Sequence, residues 1–402
     1  MKIGVVTGSF PEVSETFVVN QINSLKTFGH DVSVFCFKMD VANSCFDAFD
    51  LIEEAIVLNW KSFMPATIFK KFFLIKLILI KALLRGVFID LFFSLFFKKG
   101  KIVNTHNFFK QYFKYYFKIQ NYSILHIHFG TNAVNMIEQI KAFNKKTIVT
   151  FHGYDAHNYS EHFYKTLFNQ PNVFFTVNTN YVKKRIVALG ASNSKISILP
   201  MGLDTDYFKP KVKKNSKVFN LLFVGRLIPL KAPLMSIKIV HRLKLELQRQ
   251  VCFHIVGDGS EMEVCKAYVS DHNLESNVVF HGSKPQDYIK QLMEQSDVFL
   301  FPGIIDQNGR CEAQGLVIQE AQSMKLPVVI SDVGGMKEGV VDGESGFVVT
   351  EKNLEEFVKK IVFLIEHEEV RKKMGEIGRE FVKQHYDSTF LHKKWLEIYS
   401  EL

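Results

Sequence analysis

Cysteine is scarce in this 402-residue chain: Cys36, Cys45, Cys252, Cys265 and Cys311 are odd in number and far apart. No two form a CxxC pair, which argues against a disulfide framework and against a structural zinc site. A reduced compartment is the expectation. No basic-then-apolar leader precedes Met1–Val6, which reads as a strand, so no signal peptide is expected and the chain is placed in the cytoplasm. Solenoid-type repeats and low-complexity tracts are absent, and no Asp-X-Asp motif falls at a strand end where it would hold a metal. Acids are missing from one stretch. Between Lys61 and Lys118 the sequence has twelve Lys or Arg and a single acid, Asp90, a local net of +11; the overall +9 less this +11 leaves −2 for all the rest. Long apolar runs are missing there too. The charge-free run Leu91–Phe97 has seven residues and no run there exceeds eight, far below the roughly 18–20 of a membrane span.

What is present is the composition of a globular chain, 47% apolar and 23% charged, at a length that suits two α/β domains better than one core. The basic stretch also holds thirteen of the 39 Phe. A basic, aromatic, helix-prone insertion over 61–118 reads as lying on an anionic membrane, rings in the interface and Lys on phosphates. Ordinary helices packed on the first domain with their Lys exposed are the alternative. Nucleic acid is not expected, because no recognition motif accompanies the charge.

Elsewhere short β-rich runs alternate with helix-length segments, the pattern of doubly wound α/β domains. Strands are expected at Lys2–Thr7, Asp31–Phe37, Ile124–His128, Thr147–Thr150, Val173–Val177 and Lys195–Leu199. A helix fits Ser14–Phe28, with Ser14 as N-cap and Val18, Ile22, Leu25 and Phe28 on one face. A polar stretch from about Asp204 to Lys217 reads as a linker. Strands then follow at Asn220–Val224, Val251–Val256, Val278–His281, Val298–Phe301, Pro327–Ile330 and Gly346–Val349. Helices fit Pro233–Leu247, Glu261–His272, Gln286–Ser296, Gly315–Met324, Leu354–Glu366 and Ser388–Leu402.

The chemistry-bearing residues gather in the second half. Gly225-Arg226-Leu227 ends a strand and Lys231 follows, so a guanidinium and an ammonium stand where open α/β sheets bind ligands, a pairing suited to a diphosphate. A surface Arg and Lys would explain the pattern about as well. Gly257-Asp258-Gly259 at a strand-to-helix turn lets backbone approach a ligand, or is simply a tight turn. Glu312 and Glu320 flank a glycine entry into an apolar helix, where the amides of Gly315, Leu316 and Val317 form an anion site. Glu320 suits the two hydroxyls of a ribose, since an acid in so apolar a stretch requires a partner. Glu312 suits a sugar hydroxyl or positive charge developing on the sugar. Gly334-Gly335 with Glu338, then Asp342-Gly343 with Gly346, close the set.

This order, GRL-x3-K, GDG, E-x7-E, GG-x2-E and DG-x2-G, resembles that of the retaining glycosyltransferases of family four, which have the GT-B fold. Phe10-Pro11-Glu12-Val13-Ser14-Glu15-Thr16-Phe17 resembles a signature of the colanic-acid and amylovoran-type exopolysaccharide branch. His126-Ile127-His128-Phe129-Gly130, Thr150-Phe151-His152-Gly153-Tyr154-Asp155 and Ser197–Asp204 fit the same branch. The resemblance covers nearly the whole chain. It implies two Rossmann-like domains facing across a cleft, an acceptor domain over 1–203, a nucleotide-sugar domain over 204–385 and a C-terminal helix, 386–402, crossing back.

By the same resemblance Arg226 and Lys231 hold the donor diphosphate, with Gly225, Gly257, Gly259, Gly315, Leu316 and Val317 around the donor and Glu320 on its ribose. Glu312 contacts the transferred sugar and His152 reaches it from the first domain. Gly8, Ser14, Glu15 and Asp155 line the acceptor side. The implied reaction moves a hexose from a UDP- or GDP-sugar to a lipid-linked saccharide, metal-free and with retention, at the inner face of the cytoplasmic membrane. An epimerase or phosphorylase of the same fold and a non-catalytic scaffold are the rivals. Three positions depart from the family pattern: Ala232 replaces the usual Gly, Lys337 a Pro, and Arg310 an acid, placing a cation near Glu312.

Overall fold

The computed structural model describes residues 1–11, 16–39, 54–95, 104–211, 218–247 and 250–401. It divides into two units, one of Met1–Val177, Ile186–Ser197 and Glu397–Leu402, the other of Asn178–Arg185 and Ile198–Leu396.

The first unit is built on β1 (Lys2–Phe10), β2 (Asp31–Met39), β3 (Ile56–Val57), β4 (Ile124–His128), β5 (Thr147–Phe151), β6 (Val173–Val177) and β7 (Ile196–Ile198), in the order β3-β2-β1-β4-β5-β6-β7. Pairs from β3 through β6 are parallel. Every residue of β4 and β5 is buried, as expected where helices cover both faces of a parallel sheet. β1 and β2 run three and two residues further than their sequence suggests, because Ser9 and Phe10 still pair with Lys38 and Met39. The first described helix is Thr16–Thr27, burying Val18, Ile22 and Leu25. Phe28, expected on that face, lies beyond the helix end and is exposed. The Ser14 cap lies outside the described residues.

The basic stretch forms a 3-10 turn, Trp60–Phe63, and helices Ile68–Leu84, Phe88–Ser94 and Thr105–Ile119. Ile75, Ile78, Ala82, Val87, Leu91, Phe108, Phe109 and Tyr112 form a core of their own. Residues 96–103 of the stretch lie outside the description.

The second unit holds β8 (Phe219–Val224), β9 (Val251–Val256), β10 (Val278–Gly282), β11 (Val298–Phe301), β12 (Val328–Ser331) and β13 (Gly346–Val349), in the order β10-β9-β8-β11-β12-β13. All five pairings are parallel. In both sheets the order reverses beside the first strand, at β1/β4 and at β8/β11, and such switch points are where ligands bind beyond the carboxyl ends of strands. The helix Glu368–His385 has no counterpart in the sequence expectations; its thin apolar face is swamped by Glu and Lys. The expected linker is also partly core. Phe208 is buried, and its carbonyl accepts from Ser323 Oγ at 2.7 Å and Arg379 Nη1 at 2.9 Å.

Candidate active site

In the second unit the chain leaves β8 through Gly225-Arg226-Leu227 and turns through the 3-10 segment Pro229–Lys231 into the helix Pro233–Glu246. Ala232 joins the two with φ +49°, a left-handed conformation that a Cβ makes costly by roughly 1–2 kcal/mol. This is the physical reason a glycine is usual there. Lys231 folds back under Gly225, where a Cβ built on that glycine would meet Lys231 Cδ at 3.1 Å.

The Gly257-Asp258-Gly259 turn stacks on this loop. Gly225 N–H donates to the Val256 carbonyl and Leu227 N–H to that of Asp258, both at 2.9 Å. A Cβ on Gly257 would lie 1.9 Å from the Gly225 oxygen, and one on Gly259 2.5 Å from that of Leu227. Both glycines are therefore required by the neighbouring backbone before any ligand is considered. They shape the loop that presents Arg226, whose side chain is exposed and has no ion pair among the described residues.

Lys231 Nζ lies 2.7 Å from Glu312 Oε2, with the side chains only 13% and 20% exposed, and 4.9 Å over the Phe301 ring at the end of β11. Burial alone would raise the Glu312 carboxyl, but Lys231, Arg226 and the Gly315 amide outweigh it and hold the group below the ordinary glutamate range. So Arg226, Lys231, Glu312 and Gly315 form one charged cluster. Gly334 and Gly335 buttress it: Cβ atoms there would lie 2.1 Å from the Glu312 oxygen and 1.9 Å from that of Ala313. Gly315, at φ +73°, starts the helix Leu316–Ser323, whose first amides have no partner within the helix.

Glu320 sits on that helix, and its carboxylate accepts from Gln286 Nε2 at 3.4 Å. Burial pushes it up to about 7 in spite of this contact. Arg310 does not face Glu312 as its position suggested. Its Nε and Nη2 reach Asp306 Oδ2 at 2.8 and 2.7 Å, so the ammonium beside Glu312 is that of Lys231. Glu338 is likewise a structural acid, accepting from the amides of Asn180 and Tyr181 at 2.8 Å at the start of the helix Asn180–Ala188.

In the first unit, His152 follows β5 and its Nε2 lies 3.1 Å from Nδ1 of His128, the last residue of β4. Phe17 and Phe129 cover the His152 ring, each with centroids at 4.6 Å. Burial, and secondarily the His128 charge, holds His152 well below the usual histidine range, while burial takes His128 to about 3. His126 is pinned behind them, its Nε2 2.7 Å from Thr150 Oγ1 and its Nδ1 2.7 Å from the Tyr399 hydroxyl. Asp155 is fully buried, and its carboxylate accepts from the amides of Gly130 at 2.8 Å and of His152 and Gly153 at 3.0 Å. That geometry makes it the anchor of the His152 loop. Gly8 approaches Asn132, whose Nδ2 donates to the His128 carbonyl. Ser14 and Glu15 lie outside the described residues.

Sequence reasoning missed Gln286, His128 as the neighbour of His152, and the clamp in which Gln314 accepts from the Met201 amide at 2.8 Å and donates to its carbonyl at 2.9 Å. His128, Gln314 and Met201 each lie within one of the motifs above, but their pairings, like that of Gln286 with Glu320, are made only by the tertiary structure. Among the described residues no cluster of three His, Cys, Asp or Glu able to hold a metal occurs.

Two family profiles match the chain: Glycosyltransferase Family 4 over residues 14–207 and Glycosyl transferases group 1 over 204–381. It is 26% identical to the amylovoran biosynthesis glycosyltransferase AmsK of Erwinia amylovora, covering 100% of both chains. To the putative colanic acid biosynthesis glycosyltransferase WcaL of Salmonella typhimurium it is 23% identical, over 98% of each. Among solved structures it is similar to a glycosyltransferase from Rickettsia africae (TM-score 0.75, 21% identity, 100% and 98% covered). It also resembles Anabaena Alr3699/HepE in complex with UDP (TM-score 0.73, 17% identity, both chains wholly covered).

Proposed function

We propose that this chain, which belongs to glycosyltransferase family four and has the GT-B fold, moves a hexose from a nucleoside-diphosphate sugar to a lipid-linked saccharide in the assembly of a cell-surface polysaccharide. One observation carries the donor half of this reading: the shielded Lys231–Glu312 pair beside the exposed Arg226 and the Leu316 helix start, at the switch point of the second sheet. Two cations and a helix N-terminus are a site for a diphosphate. The relatives named for amylovoran and colanic acid biosynthesis support the polysaccharide half.

In the proposed reaction the bond from the anomeric carbon to the diphosphate oxygen breaks. The acceptor oxygen bonds to the same face of that carbon, and its proton passes to the departing phosphate. Arg226, Lys231 and the helix dipole stabilise the charge that grows on the leaving group. Glu312 fixes the Lys231 ammonium and faces the sugar. Glu320 takes the ribose hydroxyls, with Gln286 holding its carboxylate in the meantime. His152, kept neutral, hydrogen-bonds the transferred sugar, and Gly8, Ser14 and Glu15 serve the acceptor. The chain works at the inner face of the cytoplasmic membrane, held to anionic lipid through the 61–118 region.

The test is a thermal-shift screen of UDP- and GDP-sugars, since a ligand bound only by the folded state raises its melting point, followed by NMR of the product. Stabilisation by one donor and a product that keeps the donor's anomeric configuration is expected. Isomerised donor with no acceptor consumed identifies an epimerase instead, and no stabilisation by any nucleotide a scaffold.

A further inference from the structure

We infer that the bilayer contact is made by one face of two helices, Ile68–Leu84 and Phe88–Ser94, which inserts apolar side chains at the lipid interface, and that the helix Thr105–Ile119 takes no part. The inference rests on the membrane reading above and narrows it to a surface.

The helix Ile68–Leu84 has two apolar faces. Ile75, Ile78 and Ala82 are buried against Leu91, Phe108 and Phe109. The opposite face has no partner among the described residues, yet seven of its large apolar side chains are exposed, among them Phe69 at 84%, Leu84 at 77% and Phe73 at 60%. The next helix continues the surface with Ile89 at 68% and Phe93 at 60%. Single exposed apolar residues are ordinary, but a patch rows deep along a helix marks an interaction site.

Charge selects the occupant. Lys70, Lys76, Lys81 and Arg85 are exposed among these side chains, and residues 68–84 contain no acid. The one acid of the stretch, Asp90, accepts from the Tyr115 hydroxyl at 2.8 Å. A second copy of this chain would set the same cations against each other across a two-fold interface. An anionic bilayer gives them phosphates while the rings and aliphatic chains enter the acyl boundary. The helix cannot span: among the described residues none is long and apolar enough to cross a membrane. In the helix Thr105–Ile119 the chemistry is reversed. Phe108, Phe109, Tyr112 and Phe117 are core, so its aromatic content is structural.

Vesicle flotation tests this with the full chain, using phosphatidylcholine alone and with about 30 mol% phosphatidylglycerol. Wild type should float with both, more strongly with the anionic vesicles, and part of the binding should survive high salt, which screens charge but not insertion. A Phe69→Ser, Phe73→Ser, Leu77→Ser, Leu84→Ser variant should bind at least tenfold less at high salt with an unchanged melting temperature. Lys70→Gln, Lys76→Gln, Lys81→Gln should lose chiefly the low-salt component. Lys110→Gln, Lys114→Gln, Lys118→Gln should bind within about twofold of wild type, and a larger loss would overturn the exclusion of that helix. Wild type that floats with neither vesicle removes the membrane reading itself. Equal binding by wild type and the serine variant overturns this face while leaving that reading. Dimerisation lost in the serine variant, without vesicle binding, makes the face a self-interface and also overturns the inference.

Discussion

Lys231 and Glu312, 81 residues apart in the chain, meet at 2.7 Å because the loop after β8 and the loop beyond β11 leave neighbouring strands of one sheet. The ammonium is thereby shielded, aimed and matched to a carboxylate before any donor arrives. That is preorganisation of the kind that stabilises charge developing in a transition state.

Removing a charged partner of a phosphate costs roughly 1.5–3 kcal/mol, and each 1.4 kcal/mol is about tenfold in rate. Arg226→Ala and Lys231→Ala should each lower turnover at least tenfold. Arg226 is exposed, so its variant should melt with wild type, whereas Lys231→Ala also strands Glu312 and should melt lower. Steady-state rates and melting curves on both variants check this; wild-type turnover in both would remove the diphosphate assignment.

Glu320 offers a proton count. Its folded value, about 7, lies above that of an unfolded glutamate, about 4.3. The stability it contributes is therefore present at low pH and is lost as pH rises toward 7. Ribose hydroxyls donating to the carboxylate would favour its charged form, so donor binding near pH 6.5 should release protons. Calorimetry in buffers of different ionisation enthalpy reads the release, which should vanish in Glu320→Gln.

The histidines predict acid lability of the first unit. His126, His128 and His152 are all held below the usual value near 6.5, so they are neutral when folded and take up protons on unfolding. Their contribution is complete above pH 6.5 and falls as pH drops toward the folded values, by about 1.4 kcal/mol per proton per pH unit. Urea midpoints should fall from pH 6.5 to 4.5, the three histidines taking up protons on unfolding while Asp155, pushed up to about 6 by burial, gives one back. Replacing His126 with Gln should reduce that uptake by one. An unchanged slope would show that His126 is not held neutral.

Gly257→Ala should disturb the donor loop directly. The added methyl lies 1.9 Å from the Gly225 oxygen, on a backbone at φ +135°, so the loops must part. A loss of at least about 2 kcal/mol in urea unfolding is expected, strain and overpacking each contributing 1–3. Donor affinity should weaken with it, and an unchanged denaturation midpoint would contradict the packing.

Much of this was legible in the chain order of residues. Alternation of apolar runs placed twelve strands within a few residues of their observed ends, because parallel strands buried on both faces leave continuous apolar runs. The pairs Arg226/Lys231 and Glu312/Glu320 were visible because each spans only one loop and the turn or helix that follows it. The helix Glu368–His385 was not, since its polar face hides its period, and neither was β3, with only two residues. The two faces of Ile68–Leu84 were also hidden: a helix with apolar residues on every side between its lysines reads the same whichever side packs.

What the sequence determined by itself is local: periodicity, glycine turns, and which charges stand at strand ends, all set by side chains within a few residues of each other. The tertiary structure alone decided the partners. Sheet order brought Lys231 rather than Arg310 to Glu312, Gln286 to Glu320, and the Gly130 amide to Asp155. Such pairings depend on which strands lie side by side, and no spacing along the chain records that.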